Sequence, residues 1–194
     1  IEPEDFQFYE KIKVPPPTFC PECRLQRRLA FRNERSLYKR KCDLCKKDII
    51  AMYAPESPYS VYCPSCYYSD GWDPMKYGRA YDFSKPFFEQ WRTLDRVVPR
   101  ISLLQKNAVD SPWINYETDE KNCYLNFGGH HSENSAYNQY LLKGKDCFDN
   151  FWFMNSQLCY ESVLSENGYK VFYSTFCFDC RDTYFSFDCR NCSN

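Results

Sequence analysis

The motifs Asn122-Cys123-Tyr124, Ser135-Ala136-Tyr137, Asp146-Cys147-Phe148, Leu158-Cys159-Tyr160, Lys170-Val171-Phe172 and Asp182-Thr183-Tyr184 decide how most of this chain folds. Their middle residues lie 13, 11, 12, 12 and 12 positions apart, each small or apolar and each followed by an aromatic. Strand-length segments at a fixed short period, with polar Asn, Asp, Ser or Lys close before them, predict a right-handed parallel β-solenoid over residues 111–194. Cys123, Cys147, Cys159 and Val171 are expected to point inward. The stretch holds 19 aromatics against eight Leu, Ile or Val. A turn of 12 residues is too narrow to house so many rings, so the expectation is two motifs per turn, about 24 residues. The repeat reaches Asn194 without a cap, and bare strand edges are a liability, so the solenoid is expected to continue beyond residue 194.

Upstream, cysteine spacing carries the signal. Cys20/Cys23, Cys42/Cys45 and Cys63/Cys66 form three Cys-x-x-Cys pairs separated by 18 and 17 residues. Two thiolates at that spacing grip one metal from a tight knuckle, and a second knuckle completes a tetrahedron. An odd total of 13 cysteines argues against a disulfide framework, which leaves a reducing compartment, the cytoplasm, as the expected location. Asp48–Ala54 reads as a strand, Pro55–Pro58 as a turn and Tyr59–Tyr62 as the returning strand, the hairpin of a zinc ribbon. Six cysteines cannot fill two separate four-thiolate sites. Either Cys42/Cys45 pairs with one neighbouring pair and the other finds ligands elsewhere, His130 and His131 being candidates to complete a site with Cys20/Cys23, or the sites share ligands. Between the first two pairs, Leu25, Leu29 and Arg32 line a helix, or Leu29–Phe31 and Ser36–Tyr38 flank a turn. Cys177, Cys180, Cys189 and Cys192 look like a second metal site, but each pair repeats at 12, so the repeat accounts for them equally well.

The chain is expected to be mainly β. It divides on the page into a zinc-ribbon domain (1–70), a helical linker (71–110) and the repeat domain (111–194). In the linker, Ser84 is a candidate N-cap, and Phe87, Trp91, Leu94 and Val98 form one apolar stripe ended by Pro99, expected to pack between the two halves. No run of the sequence approaches the roughly 18 apolar residues a membrane-spanning helix requires.

Net charge is −1, unevenly spread. Residues 11–47 carry 12 Lys or Arg against Glu22, Glu34 and Asp43, whereas residues 111–194 carry six basic and 11 acidic residues. Arginine forks suit phosphate, and interleaved rings suit bases. The sequence therefore predicts RNA binding, ribosomal RNA foremost, by Arg24, Arg27, Arg28, Phe31, Arg32, Arg35, Lys39, Arg40 and Lys41. The alternatives are a counter-charge to metal-bound thiolates, an acidic protein partner, or a scaffold whose aromatic solenoid docks a protein or a sugar. No phosphate loop and no His-Glu-x-x-His motif occurs, so no enzyme is expected.

The runs PPPTFCPECRLQRRLAFRNERSLYKRKCDLC, YCPSCYYSDGWDP, DFSKPFFEQW and PWINYETDEKNCYLNF resemble zinc-ribbon proteins of candidate-phyla-radiation (Patescibacteria) bacteria. The resemblance covers most of the chain. It implies bacterial origin, bound zinc and further Cys-aromatic repeats after Asn194, and it implies no reaction.

Overall fold

The computed structural model describes residues 3–30 and 33–193. The chain forms two compact units, 1–33 and 34–194.

The first unit holds α1 (Pro3–Lys11) and α2 (Pro21–Leu29). The charged stretch Phe6–Lys11, for which no helix is expected from the sequence, belongs to α1. At α2 the knuckle itself starts the helix. Cys20 is the N-cap, its Sγ accepts from the Cys23 N–H at 3.3 Å, and Pro21 occupies a first-turn position where its missing N–H costs nothing. Glu22 opens the helix and Arg27 and Arg28 close it, each complementing the helix dipole. Of the two sequence alternatives, the helix containing Leu25 and Leu29 is the one formed. Arg32 and Phe31 lie outside the described residues.

The second unit begins with an antiparallel hairpin, β1 (Tyr38–Lys41) and β2 (Asp48–Ala51), wrapped around the Cys42/Cys45 knuckle. Lys46, at φ 63°, supplies the left-handed turn, and its N–H returns to the Cys42 carbonyl at 2.9 Å. Here the structure corrects the ribbon expected from the sequence. Residues 48–54 do not pair with 59–62. Instead β3 (Val61–Tyr62) pairs in parallel with β4 (Arg100–Ile101). The reason is Arg40, whose side chain is 8% exposed. Its guanidinium donates to the carbonyls of Ala54 (3.2 Å) and Tyr59 (3.4 Å), to Ser57 Oγ (3.2 Å) and to Asp43 Oδ2 (3.1 Å). Those carbonyls are spent on an arginine instead of a strand partner, and Pro55 and Pro58 have no N–H to offer. The third knuckle then opens α3 (Pro64–Tyr67), again with cysteine before proline at the helix start.

A 3₁₀ turn (Pro74–Tyr77) leads to α4 (Phe87–Val97). Ser84 does not cap it. Its hydroxyl donates to Asp82 Oδ1 at 2.6 Å, and Pro86 precedes the first turn. Nor does the apolar stripe pack away: Phe87 is 55% and Trp91 48% exposed. The helix is held by polar contacts. Gln90 clamps the preceding loop through the Asp82 N–H and the carbonyls of Asp82 and Lys85, leaving beside Tyr81 and Trp91 a cleft of about 350 Å³.

From Gln105 onward every parallel pairing joins a residue to the one 12 positions later. Short strands β5 (Gln105–Lys106) and β6 (Glu117–Thr118) begin the series. They are followed by β7 (Gln139–Leu142), β8 (Phe151–Met154), β9 (Val163–Ser165), β10 (Val171–Phe172) and β11 (Thr183–Tyr184). Isolated bridges such as Tyr124↔Ala136↔Phe148↔Tyr160↔Phe172 extend it at the same offset. The offset is 12, not the 24 expected from the number of rings. Apart from Phe153, which is fully buried at an inward position, the rings stay outside. Between Ser111 and Thr183 an inward side chain recurs every third residue: Ser111, Ile114, Glu117, Glu120, Cys123 and Asn126 head the series, all at most 3% exposed. The residue two places after an inward one commonly has positive φ, as at Asn122, Leu125, His131, Asn134 and Tyr137. Each left-handed corner outside glycine costs on the order of 1 kcal/mol, and Asn and Asp occupy several of them for that reason.

Small and polar inward residues make the narrow interior possible. Cys123, Cys147, Cys159 and Val171 are buried as expected, and Cys147, Cys159 and Val171 cluster with Leu141, Phe153, Cys177 and Cys180. Gly144 leaves room that a Cβ would take from Leu141, which would lie 2.4 Å away. One inward column is a polar ladder. Asn126 Oδ1 accepts from the Asn138 side chain (3.1 Å), and Asn138 Oδ1 from that of Asn150 (3.0 Å). Asn150 Oδ1 then accepts from the Ser162 N–H, and Ser162 Oγ from the Ser174 N–H. The amides of Asn138 and Asn150 are thereby satisfied one repeat away, whereas Asn126 Nδ2, at the head of the ladder, has no partner among the described residues.

Candidate metal centre

Four sulfurs meet in the second unit. The Sγ atoms of Cys42, Cys45, Cys63 and Cys66 lie within 4.8 Å of one another, the one such group of His, Cys, Asp or Glu ligand atoms among the described residues. The first two come from the turn between β1 and β2, the others from the start of α3. Asp43 locks the two knuckles together, its Oδ2 accepting from the Val61 N–H at 2.7 Å and from Arg40. The Cys63 N–H donates to Cys42 Sγ at 3.3 Å, and Cys45 Sγ stands 3.9 Å from Cys63 Sγ. Sulfurs bonded at 2.3 Å to one tetrahedral Zn²⁺ sit about 3.8 Å apart, so the donor set fits that ion.

Electrostatics favour a cation at this spot. Burial opposes ionisation of Cys42, but N–H groups of Cys63, Cys45 and Leu44 bring its pKa down to about 6. The hydrogen bond its thiol donates to Cys63, followed by burial, pushes Cys66 up to about 12, and burial raises Cys63. One thiolate forms readily and its neighbours resist, because like charges cannot crowd together unaided. A divalent cation removes that conflict. With four protein sulfurs a tetrahedral ion has no position left for substrate, the arrangement of a structural site.

The other predicted residues are placed as follows. Cys20 and Cys23 are exposed at the start of α2 in the first unit. Cys177 and Cys180 are fully buried at inward positions, with Cys189 and Cys192 packed against the same cluster one repeat later. Cys180 Sγ donates toward the carbonyls of Cys177 and Phe178. His131 Nδ1 lies 3.6 Å from Asp119 Oδ2, and its ring meets His130 edge-on.

Of the basic residues, Arg24, Arg27 and Arg28 belong to α2, where Arg27 lies 5.2 Å over the Phe19 ring. Arg35 donates to Gln139 Oε1 at 3.0 Å and covers the Phe127 ring. Lys39 stands over Trp113, Arg40 is buried in the contacts above, and Lys41 pairs with Asp48 at 2.9 Å.

Sequence reasoning did not single out Glu117 and Glu120. Both are buried, 2% and 1% exposed, and neither Glu117 oxygen has a hydrogen-bond partner among the described residues. Burial, then the charge of Glu120, raises Glu117 to about 10, and burial raises Glu120. Their separation of three, in step with the inward series, is the signal that would have found them. Comparison with protein-family models, curated proteins and solved structures finds no match to the chain. Among the described residues no helix is long and apolar enough to cross a membrane.

Proposed function

We propose that this chain is a zinc-stabilised binding scaffold of the bacterial cytoplasm, without catalytic activity, in which a right-handed parallel β-solenoid presents its side chains to a protein partner. The observation that carries the reading is the gathering of Cys42, Cys45, Cys63 and Cys66 beside the β3–β4 pair, which precedes the 12-residue ladder in the chain. The third knuckle follows β3, which pairs with β4, and β4 leads into the repeat. Metal binding energy there doubles as folding energy. The constant offset and the three-residue inward rhythm support a solenoid, since a rigid stack holds exposed side chains at fixed spacing. The test is elemental analysis of the purified protein, expected to give at least one zinc per chain. Cys45→Ser or Cys63→Ser should lower that content and loosen the region, and metal-free protein with an unchanged thermal transition would overturn the reading.

A second reading is favoured by α2, an exposed helix bearing Arg24, Arg27 and Arg28. These residues, with Phe31 and Arg32 beyond them in sequence, suit the phosphates of RNA, ribosomal RNA included. Three phosphate contacts on a single strand would give log K a slope of about −2 against log salt. Arg27→Ala with Arg28→Ala should flatten that slope, and a slope unchanged by the pair would remove this reading.

A further inference from the structure

The ladder has four bridge lines, and two of them differ in kind from the others. One runs Tyr124, Ala136, Phe148, Tyr160, Phe172, Tyr184, and the other Asn115, Phe127, Gln139, Phe151, Val163, Thr175, Phe187. Together with the corner residues that follow them, they form a broad aromatic surface. Trp152 is 47% and Tyr173 46% exposed, and Tyr173 stacks on Phe185 at 5.1 Å. An exposed apolar patch of this extent marks an interaction surface.

Its charge identifies the partner. Asp149, Glu161 and Asp188 sit at corners of this surface, and no Lys or Arg occurs on its lines or corners. All six basic residues of the repeat region, Lys121, Lys143, Lys145, Lys170, Arg181 and Arg190, fall on the other two lines or their corners. Rings with carboxylates among them and no competing cation attract positive groups, through the ring quadrupole and by direct Coulomb attraction. The same charges repel phosphate.

The chain already demonstrates the mode of contact on its own first rungs. Residues 34–39 lie along them: the Glu34 carbonyl accepts from Asn115 Nδ2 at 3.2 Å, Arg35 covers Phe127 and donates to Gln139, and Lys39 stands 5.8 Å over Trp113. Further along, the same lines carry no such segment of this chain among the described contacts. We infer that the aromatic surface from Tyr137 to Phe187 docks an extended, arginine- or lysine-bearing peptide segment of a partner protein, held as residues 34–39 are held. This rests on the scaffold reading and names its partner's chemistry.

The test uses the full zinc-loaded chain and a synthetic twelve-residue peptide of alternating arginine and serine. The controls are the same peptide with citrulline for arginine and an oligouridine of similar length. Binding is followed by tryptophan emission and calorimetry. The arginine peptide should bind at least tenfold more tightly than the citrulline peptide, with affinity falling as salt rises. Asp149→Asn with Glu161→Gln should weaken it about tenfold at low salt, and Tyr173→Ala should weaken it roughly two- to fivefold, the worth of one exposed cation–π contact. Lys121→Ala with Lys145→Ala, on a different line, should leave it unchanged or slightly tighter. Equal binding of arginine and citrulline peptides would overturn the cationic partner and leave the scaffold standing. Binding of oligouridine with neither peptide retained would overturn both. An unchanged thermal transition in each variant ties any loss to the surface and not to unfolding.

Discussion

Replacing Glu117 with glutamine is expected to stabilise the protein, and only above acidic pH. Glu117 is 2% exposed, both its oxygens lack a hydrogen-bond partner among the described residues, and Glu120 lies against it. The acid form is therefore the one held inside, its pKa raised from 4.5 to about 10. In the unfolded chain the same group ionises near 4.5. The folded state thus binds the extra proton, so stability is fullest below pH 4.5 and declines as pH rises toward the folded value. The decline is about 1.4 kcal/mol per pH unit, or about 3 kcal/mol by pH 7. Glutamine keeps the size of the protonated side chain and never ionises, so the variant escapes that loss. Urea denaturation of both proteins at pH 4.5, 6, 7 and 8 measures it. The difference should be near zero at the lowest pH and grow to about 2–3 kcal/mol in favour of Glu117→Gln at pH 7. Acid also releases metal from thiolates, but equally in both proteins, so the difference cancels it. A difference that stays flat across this range would refute the idea that Glu117 is buried as a neutral acid.

Other consequences can be checked by similar means. Cys159→Asp, which places an unpaired charge in the core cluster, should cost several kcal/mol in a urea titration, whereas Glu166→Ala, at an exposed position, should cost under about 0.5 kcal/mol. Equal tolerance would mean the three-residue inward rhythm is misread. Arg40→Ala leaves the carbonyls of Ala54 and Tyr59 without their donor and Asp43 without its counter-ion, and should cost about 3 kcal/mol. Lys at that position should recover little of it, since one ammonium cannot span four acceptors. Removing metal with a strong chelator should lower the thermal midpoint of the wild type by several degrees and that of Cys63→Ser hardly at all.

Much of this architecture was legible in residue spacing, and the failures have physical causes. The 12-residue repeat was visible because Cys123, Cys147, Cys159 and Val171 must all be small enough to face inward. The apparent steps of 13 and 11 arose from aligning on Ala136, whereas the inward residue is Ser135, 12 after Cys123. The doubled turn of 24 followed from assuming that rings belong inside. In a ladder this narrow the interior is filled mostly by Cys, Ser, Asn and Gly with a few larger residues such as Leu141 and Phe153, and the other rings pack on one another outside. At the candidate metal centre, the Cys42/Cys45 and Cys63/Cys66 knuckles could be read directly from Cys-x-x-Cys. The path of the chain between them could not, because it depends on Arg40, which is buried against that segment and which the sequence placed among the RNA-binding residues. The stripe on α4 has the right period for burial, yet Gln90 satisfies the loop and leaves Phe87 in solvent.

The constant offset also governs which changes in chain length the repeat region can absorb. Because residue n sits beside residue n + 12 along the ladder, deleting twelve residues removes one rung and returns every later side chain to its former line. Deleting three keeps inward residues inward but shifts all that follow to the next line, carrying the line of Tyr124 and Phe148 onto that of Lys121 and Lys145 and breaking up the continuous aromatic surface. Deleting one or two sends the exposed set into the core. Natural variation in length should therefore come in twelves, and an engineer could lengthen or shorten the binding surface by whole rungs without redesigning a single contact beyond the cut.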